Sequence, residues 1–162
     1  MENNNMQFLS AELEKKQADA NCKYNILLDQ WKDADRNIVY PDYYGGGYLD
    51  DNKGFVINIT EPEEKVRTNF ECIIPLDNIT FKQAKYSYST LLSKQKELTA
   101  KMKEVGEICQ AEIIGIGVVS NGNGLLFKSK YKTLKHIKRI CIEISRILLE
   151  DLRILFLNRA LE

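Results

Sequence analysis

Few residues in this 162-residue chain could carry acyl-transfer chemistry. A nucleophilic serine needs a histidine base and an acid arranged around one carbonyl. The only histidine, His136, sits in Lys135-His136-Ile137-Lys138, where helical spacing puts it on a charged outer face, and no serine lies in a Gly-x-Ser-x-Gly segment. No catalytic residue is assigned. The paired carboxylates Asp50-Asp51 and Glu63-Glu64 could supply an acid and a base. One pair falls in a turn, however, and the other at a helix start, where acids complement the dipole. Gly45-Gly46-Gly47 could cradle a phosphate, but a phosphate loop follows a strand and opens a helix with Lys-Ser/Thr behind it. These glycines precede a strand. Gly115-Ile116-Gly117 lies inside an apolar strand, where glycines mark close packing or a bulge. Cys22, Cys72, Cys109 and Cys141 are separated by 50, 37 and 32 positions, far from any paired-cysteine spacing. No metal site and no cofactor is expected, and the thiols read as reduced, buried and inert.

The elements that would position these groups can be read from periodicity. Residues 7–34 carry Leu9, Leu13, Ala20, Tyr24, Leu27, Leu28 and Trp31 on roughly one helical stripe. Pro41 and the three glycines end it and form a linker. Gly47–Asp50 and Phe55–Thr60 then read as a hairpin closed by Asp51-Asn52-Lys53-Gly54, with Phe55, Ile57 and Ile59 on the core side. Thr60 caps a helix with Pro62 early and Glu63 and Glu64 in its first turn. Ile79–Tyr86 reads as a strand, and residues 89–104 as a helix capped by Ser87 or Ser89 and ended by Gly106. Glu112–Ser120 and Leu125–Phe127 form a second hairpin around Asn121-Gly122. Residues 132–158 read as a long helix striped with Leu134, Ile137, Cys141, Ile144, Leu148, Leu152 and Leu155. Its added Ile and Leu widen the apolar surface beyond what one sheet can cover.

The fold class is therefore α+β: an antiparallel sheet of two hairpins plus one strand, packed by helices, with long terminal helices. Three segments follow: residues 1–40 as an N-terminal helix, 41–130 as the α+β domain, and 131–162 as an amphipathic C-terminal helix. Gly45–Thr60 and Gly115–Lys128 share a pattern of glycine, strand, Asx-Gly turn and apolar strand, a pseudo-repeat in pattern only.

The formal net charge is zero but uneven: residues 125–162 hold nine Lys or Arg against four Asp or Glu. These basic residues alternate with Ile and Leu at helical spacing, so they read as a solvated helix face, and no nucleic-acid partner is expected. Ile137–Leu157 is interrupted by Glu143, Arg146, Glu150, Asp151 and Arg153, so no membrane span is expected. Met1-Glu2-Asn3-Asn4-Asn5 leads into polar sequence without an apolar signal core, which points to the cytoplasm. Tyr43, Tyr44, Tyr48, Tyr86 and Tyr88 could stack on bases or a partner. As amphipathic side chains they fit the edge of a core better.

Asp42-Tyr43-Tyr44-Gly45-Gly46-Gly47-Tyr48-Leu49-Asp50-Asp51, followed by Gly54-Phe55-Val56-Ile57-Asn58-Ile59-Thr60, resembles the GGxYxD…GxLVVxVT signature of a family. That family is the pro-region of chymotrypsin-like bacterial serine proteases, the α-lytic protease and streptogrisin group. Lys85-Tyr86-Ser87-Tyr88-Ser89-Thr90-Leu91-Leu92 is similar to the family's vkYSyxeLl segment, and Ile113–Val118 takes the place of the strand before its return strand. The resemblance covers about residues 42–127. The family-motif positions are Tyr44, Gly45, Gly46, Tyr48, Asp50, Gly54 and Tyr86, all read as structural. The resemblance implies a non-catalytic α+β binding module that assists folding of a protease and then inhibits it, by extending a protease sheet with its own strand edge. Its partner would be a chymotrypsin-like serine protease. Asn121–Lys128 matches the family poorly and the Lys- and Ile-rich end has no counterpart there; a truncated or frame-shifted family member, shifted near Val119, would account for both. The alternative is an interaction protein with no protease link that self-associates through residues 132–158.

The absent triad leads to a direct test. The purified chain should not turn over fluorogenic peptides, because serine without an adjacent base is unreactive at neutral pH. Steady cleavage that disappears on His136→Ala would contradict this.

Overall fold

The computed structural model describes residues 2–50, 54–109, 113–129, 142, 144 and 154–157. Two compact units divide the chain, Met1–Ser89 and Thr90–Glu162. Ala20 and Leu27 of the N-terminal helix lie in the first unit's core.

In the first unit, α1 (Glu2–Gln30) precedes β1 (Tyr44–Asp50), β2 (Gly54–Ile59), α2 (Glu63–Glu71) and β3 (Ile79–Gln83). The strand order is β1-β2-β3. β1 and β2 form the expected antiparallel hairpin. β3 joins the other side of β2 in parallel, pairing Phe55 with Ile79 and Ile57 with Phe81. The α+β class is as expected, but the sheet is mixed, and each hairpin has a sheet of its own. The physical reason is the crossover. Parallel neighbours cannot be joined by a tight turn, and α2 supplies the connection.

That crossover also builds the core. Phe55, Ile57 and Ile59 alternate onto one side of β2, where they meet Val66 and Phe70 of α2 and Ala20, Leu27 and Trp31 near the end of α1. Ile57, Phe70 and Leu27 have no exposed surface. α2 starts differently from the expectation. Its N-cap is Pro62 with no side-chain cap, and the Thr60 hydroxyl instead donates to the Asp42 carbonyl at 2.9 Å. Glu63 and Glu64 do occupy the first turn, and Arg67 pairs with Glu63 at 2.8 Å and Glu71 at 2.9 Å.

Lys23 ties α1 to the loop before β3. Its ammonium donates to the Asp19 carboxylate at 2.8 Å and to both the carbonyl and the carboxylate of Asp77. Burial pulls the Lys23 pKa down, but the hydrogen bonds and charges of Asp19 and Asp77 outweigh it and hold it above the ordinary lysine value.

The second unit contains most of α3 (Tyr88–Ala100), then α4 (Met102–Cys109), β4 (Ile113–Val119), β5 (Gly124–Ser129) and β6 (Ile154–Leu157). The helix expected over residues 89–104 is in fact two. It breaks at Lys101, whose N–H is shared by the Glu97 and Leu98 carbonyls, and α4 runs through Gly106. The long helix expected over residues 132–158 is also corrected. Ile142 and Ile144 are helical, but Ile154–Leu157 is a strand. Four consecutive apolar residues, Ile154-Leu155-Phe156-Leu157, suit a buried strand as well as a helix, and periodicity cannot separate the two. Ile144 is fully buried while Ile142 is 64% exposed.

The two units repeat one another. β4 and β5 form an antiparallel hairpin, β6 joins β5 in parallel, and the order is β4-β5-β6. Asp50, Leu49 and Tyr48 face Gly54, Phe55 and Val56 as Val119, Val118 and Gly117 face Gly124, Leu125 and Leu126. Phe55, Val56, Ile57 and Asn58 pair with Ile79 to Lys82 as Leu125, Leu126, Phe127 and Lys128 pair with Ile154 to Leu157. Even the register shift recurs near the start of the first strand, between Tyr44 and Gly47 and between Ile113 and Gly115. The hairpin pseudo-repeat seen in the sequence is thus a repeat of topology and register. A sequence read in a shifted frame has no reason to reproduce that register.

The core assignment is testable. Phe70→Ala should destabilise the first unit by about 3–5 kcal/mol, as for a fully buried phenylalanine. Urea unfolding followed by Trp31 fluorescence measures it, and a loss below about 1 kcal/mol would show that Phe70 is not central.

Candidate functional site

The motif residues run the length of the first hairpin, from Tyr44 at the start of β1 to Asp50 and Gly54 at its turn, with Tyr86 just beyond β3. Tyr44 opens β1 and is 1% exposed. Its ring lies 4.7 Å from Trp31, stacks on Tyr40 at 5.8 Å and 11°, and stands 5.8 Å from Tyr88. Tyr43 meets Phe70 edge-on at 5.6 Å. Tyrosine lets a large ring pack while its hydroxyl keeps a polar contact, which suits a core that reaches the surface. Tyr44 is thus a core residue and Tyr43 and Tyr88 pack at the core's edge, while Tyr48 and Tyr86 are half-buried outside that cluster.

Gly45 and Gly46 form the bulge. A Cβ on Gly45 would lie 3.0 Å from the Cβ atoms of both Ala84 and Asn58 and 3.2 Å from the Tyr86 carbonyl, so the chain leaving β3 passes directly over it. Gly46 has φ 103°. Gly54 opens β2 with φ 75°, and a Cβ there would lie 2.8 Å from the Asn78 carbonyl. Any side chain at Gly54 would be strained in conformation and displaced by the loop that positions β3. Asp50 pairs with Gly54 at the hairpin end, while Asp51, Asn52 and Lys53 lie outside the described residues.

Tyr48 sits on the sheet side opposite the aromatic core, facing Val56, with the Lys82 ammonium 5.9 Å from its ring centre. The Lys85 ammonium stands 5.1 Å from the ring of Tyr86. The seven motif positions thus belong to one unit, where they supply a ring in the core, a bulge, a hairpin end and a crossing strand exit. Trp31, Tyr40, Asn78 and Ala84 complete the arrangement, and the sequence reading assigned them no part in it. Pro41 beside Tyr40 suggested only a linker, and nothing local marks Ala84 as the residue that crosses Gly45.

β1 and β3 are the outer strands of the first sheet, and outer strands present backbone donors and acceptors to a further strand. Among the described residues no group of three His, Cys, Asp or Glu is placed to hold a metal ion. His136 and Cys141 lie outside the described residues, and the side chain of Cys109 does too. Cys22 and Cys72 are free thiols, but both are exposed rather than buried as expected. Among the described residues no helix is long and apolar enough to cross a membrane.

Residues 8–84 match the model of a family described as a Pro-like N-terminal domain. The match spans α1 to the end of β3, which is the first unit almost in full, and it supports a pro-region-like module there. A search of curated proteins finds no match to the chain.

The tyrosine cluster sets an alkaline limit on stability. Burial first, then the neighbouring Tyr24 and Tyr88, push the Tyr40 hydroxyl up to about 12. Burial also raises Tyr43, Tyr44 and Tyr88. The folded state holds these protons more tightly than the unfolded chain, whose tyrosines titrate near about 10. Their stabilisation is complete below about pH 10 and is lost as pH climbs from there toward about 12. The urea midpoint should fall over that window, together with a rise in tyrosinate absorbance. A midpoint unchanged across it would show that the rings are open to solvent.

Proposed function

We propose that the chain is a non-catalytic binding module of the protease pro-region type, acting on a chymotrypsin-like serine protease as folding assistant and inhibitor. The observation that carries this is the coincidence of the Pro-like N-terminal domain match with one structural unit, α1 to β3, which contains the family-motif residues from Tyr44 to Gly54. The motif residues are spent on building the sheet. What remains for a partner is a strand edge, and backbone pairing at an edge is a general means by which one protein takes up a segment of another. The second unit repeats the topology and register of the first, so the chain offers two such modules in tandem.

Titration into an active protease of the α-lytic and streptogrisin group tests the reading. The chain should slow hydrolysis of a small fluorogenic substrate, and it should raise the yield when the unfolded protease domain is diluted into buffer. Neither inhibition nor refolding assistance with several members of the group would defeat the proposal. Inhibition without assistance would retain the binding role alone.

A further inference from the structure

The second sheet contains a guarded edge, and its role does not depend on the protease reading. β4 is the outer strand of β4-β5-β6, and among the described residues no strand pairs with its outer side. Its sequence, Ile113-Ile114-Gly115-Ile116-Gly117-Val118-Val119, has no charge and no proline, and Ile114 is 51% exposed. An apolar, uncharged strand at a sheet edge is a template for pairing, and stable proteins block it by some device.

The register shows which backbone groups face outward. In the first unit the Phe55 N–H donates to the Asn78 carbonyl, and the Ile59 carbonyl accepts from the Ala84 N–H. Alternate residues of β2 from Phe55 to Ile59 therefore turn their main-chain groups toward β3, so Leu49–Phe55 and Gly47–Ile57 are non-hydrogen-bonded pairs across β1. Ile116–Phe127 is the counterpart of Gly47–Ile57. The Ile116 carbonyl consequently points away from β5. A side chain meets it there: Gln95 of α3 donates from Nε2 to the Ile116 carbonyl at 2.8 Å.

We propose that Gln95 is an edge guard, and that by occupying the Ile116 carbonyl it keeps β4 from pairing with β4 of a second copy of this chain. The occupant is a second copy because of charge: seven uncharged residues carry nothing to repel an identical strand, and like charges are the usual bar to self-pairing. Two identical strands can also pair antiparallel about a two-fold axis and close as a dimer. An incoming strand needs the Ile116 carbonyl as a rung of its ladder, and Gln95 has already taken it.

The experiment uses the full chain and light scattering over a concentration series. Gln95→Met keeps side-chain length and helix preference but removes the donor. The wild type should be a monomer and Gln95→Met should double in mass as concentration rises. Adding Ile114→Lys to it should restore the monomer by placing a charge on the freed edge. A Gln95→Met protein with the wild-type mass at every concentration, or a wild type already dimeric, overturns the proposal. If Gln95→Met does not fold, the wild type decides by NMR. One Gln95 side-chain amide proton should exchange slowly and show a contact to Ile116 or Gly117, and fast exchange of both protons overturns the proposal.

Discussion

The first unit depends on the parallel pairing of β2 with β3. Once β3 lies alongside β2 in the same direction, the chain must travel the length of the sheet between them, and it does so as α2. That return puts Val66 and Phe70 over Ile57 and Ile59, and α1 closes the remaining side with Leu27 and Trp31. An antiparallel third strand would have needed only a turn, with no helix returning over the sheet. The Asn78 loop then closes against Gly54, so the crossover is anchored at the hairpin as well as at the helix.

The sequence foretold elements better than their partners. Phe55, Ile57 and Ile59 alternate cleanly, so β2 and its core side could be read directly, although Val56 and Asn58 on the other side are buried too. Glu63 and Glu64 marked the start of α2, though the cap is Pro62 and Thr60 holds the neighbouring loop. Direction was not legible. Nothing in Ile79-Thr80-Phe81 distinguishes a parallel neighbour from an antiparallel one, because alternation records only which side is buried. Ile154–Leu157 failed for the opposite reason: an unbroken apolar run at the end of a helical pattern extends that pattern by default. The glycine-rich motif could be read, but the atoms that crowd Gly45 belong to Asn58, Ala84 and Tyr86, far along the chain.

The first unit spends Gly45, Gly54 and its aromatic rings on architecture, whereas a Cβ at Gly115 or Gly117 of the second unit would meet nothing within 4 Å. A strand edge does not converge on a point. Under the proposed reading, affinity would be spread over main-chain groups and selectivity would come from which edges are open and which are blocked.

The shared register has a consequence for how the chain reaches its structure. A strand that fits β2 in one register also meets the pairing rules of β5, so β3 and β6 compete for two similar berths during refolding. Proximity discriminates between them. Joining β2 to β6 rather than to β3 encloses a loop longer by a little over two doublings, which costs about 1.4 kcal/mol at about 0.6 per doubling. That is a narrow margin, and the rest must come from side chains: Thr80 and Lys82 in β3 stand where Leu155 and Leu157 stand in β6. The polar pair in one strand and the leucines in the other act as an address, sorting two near-interchangeable strands to their own sheets.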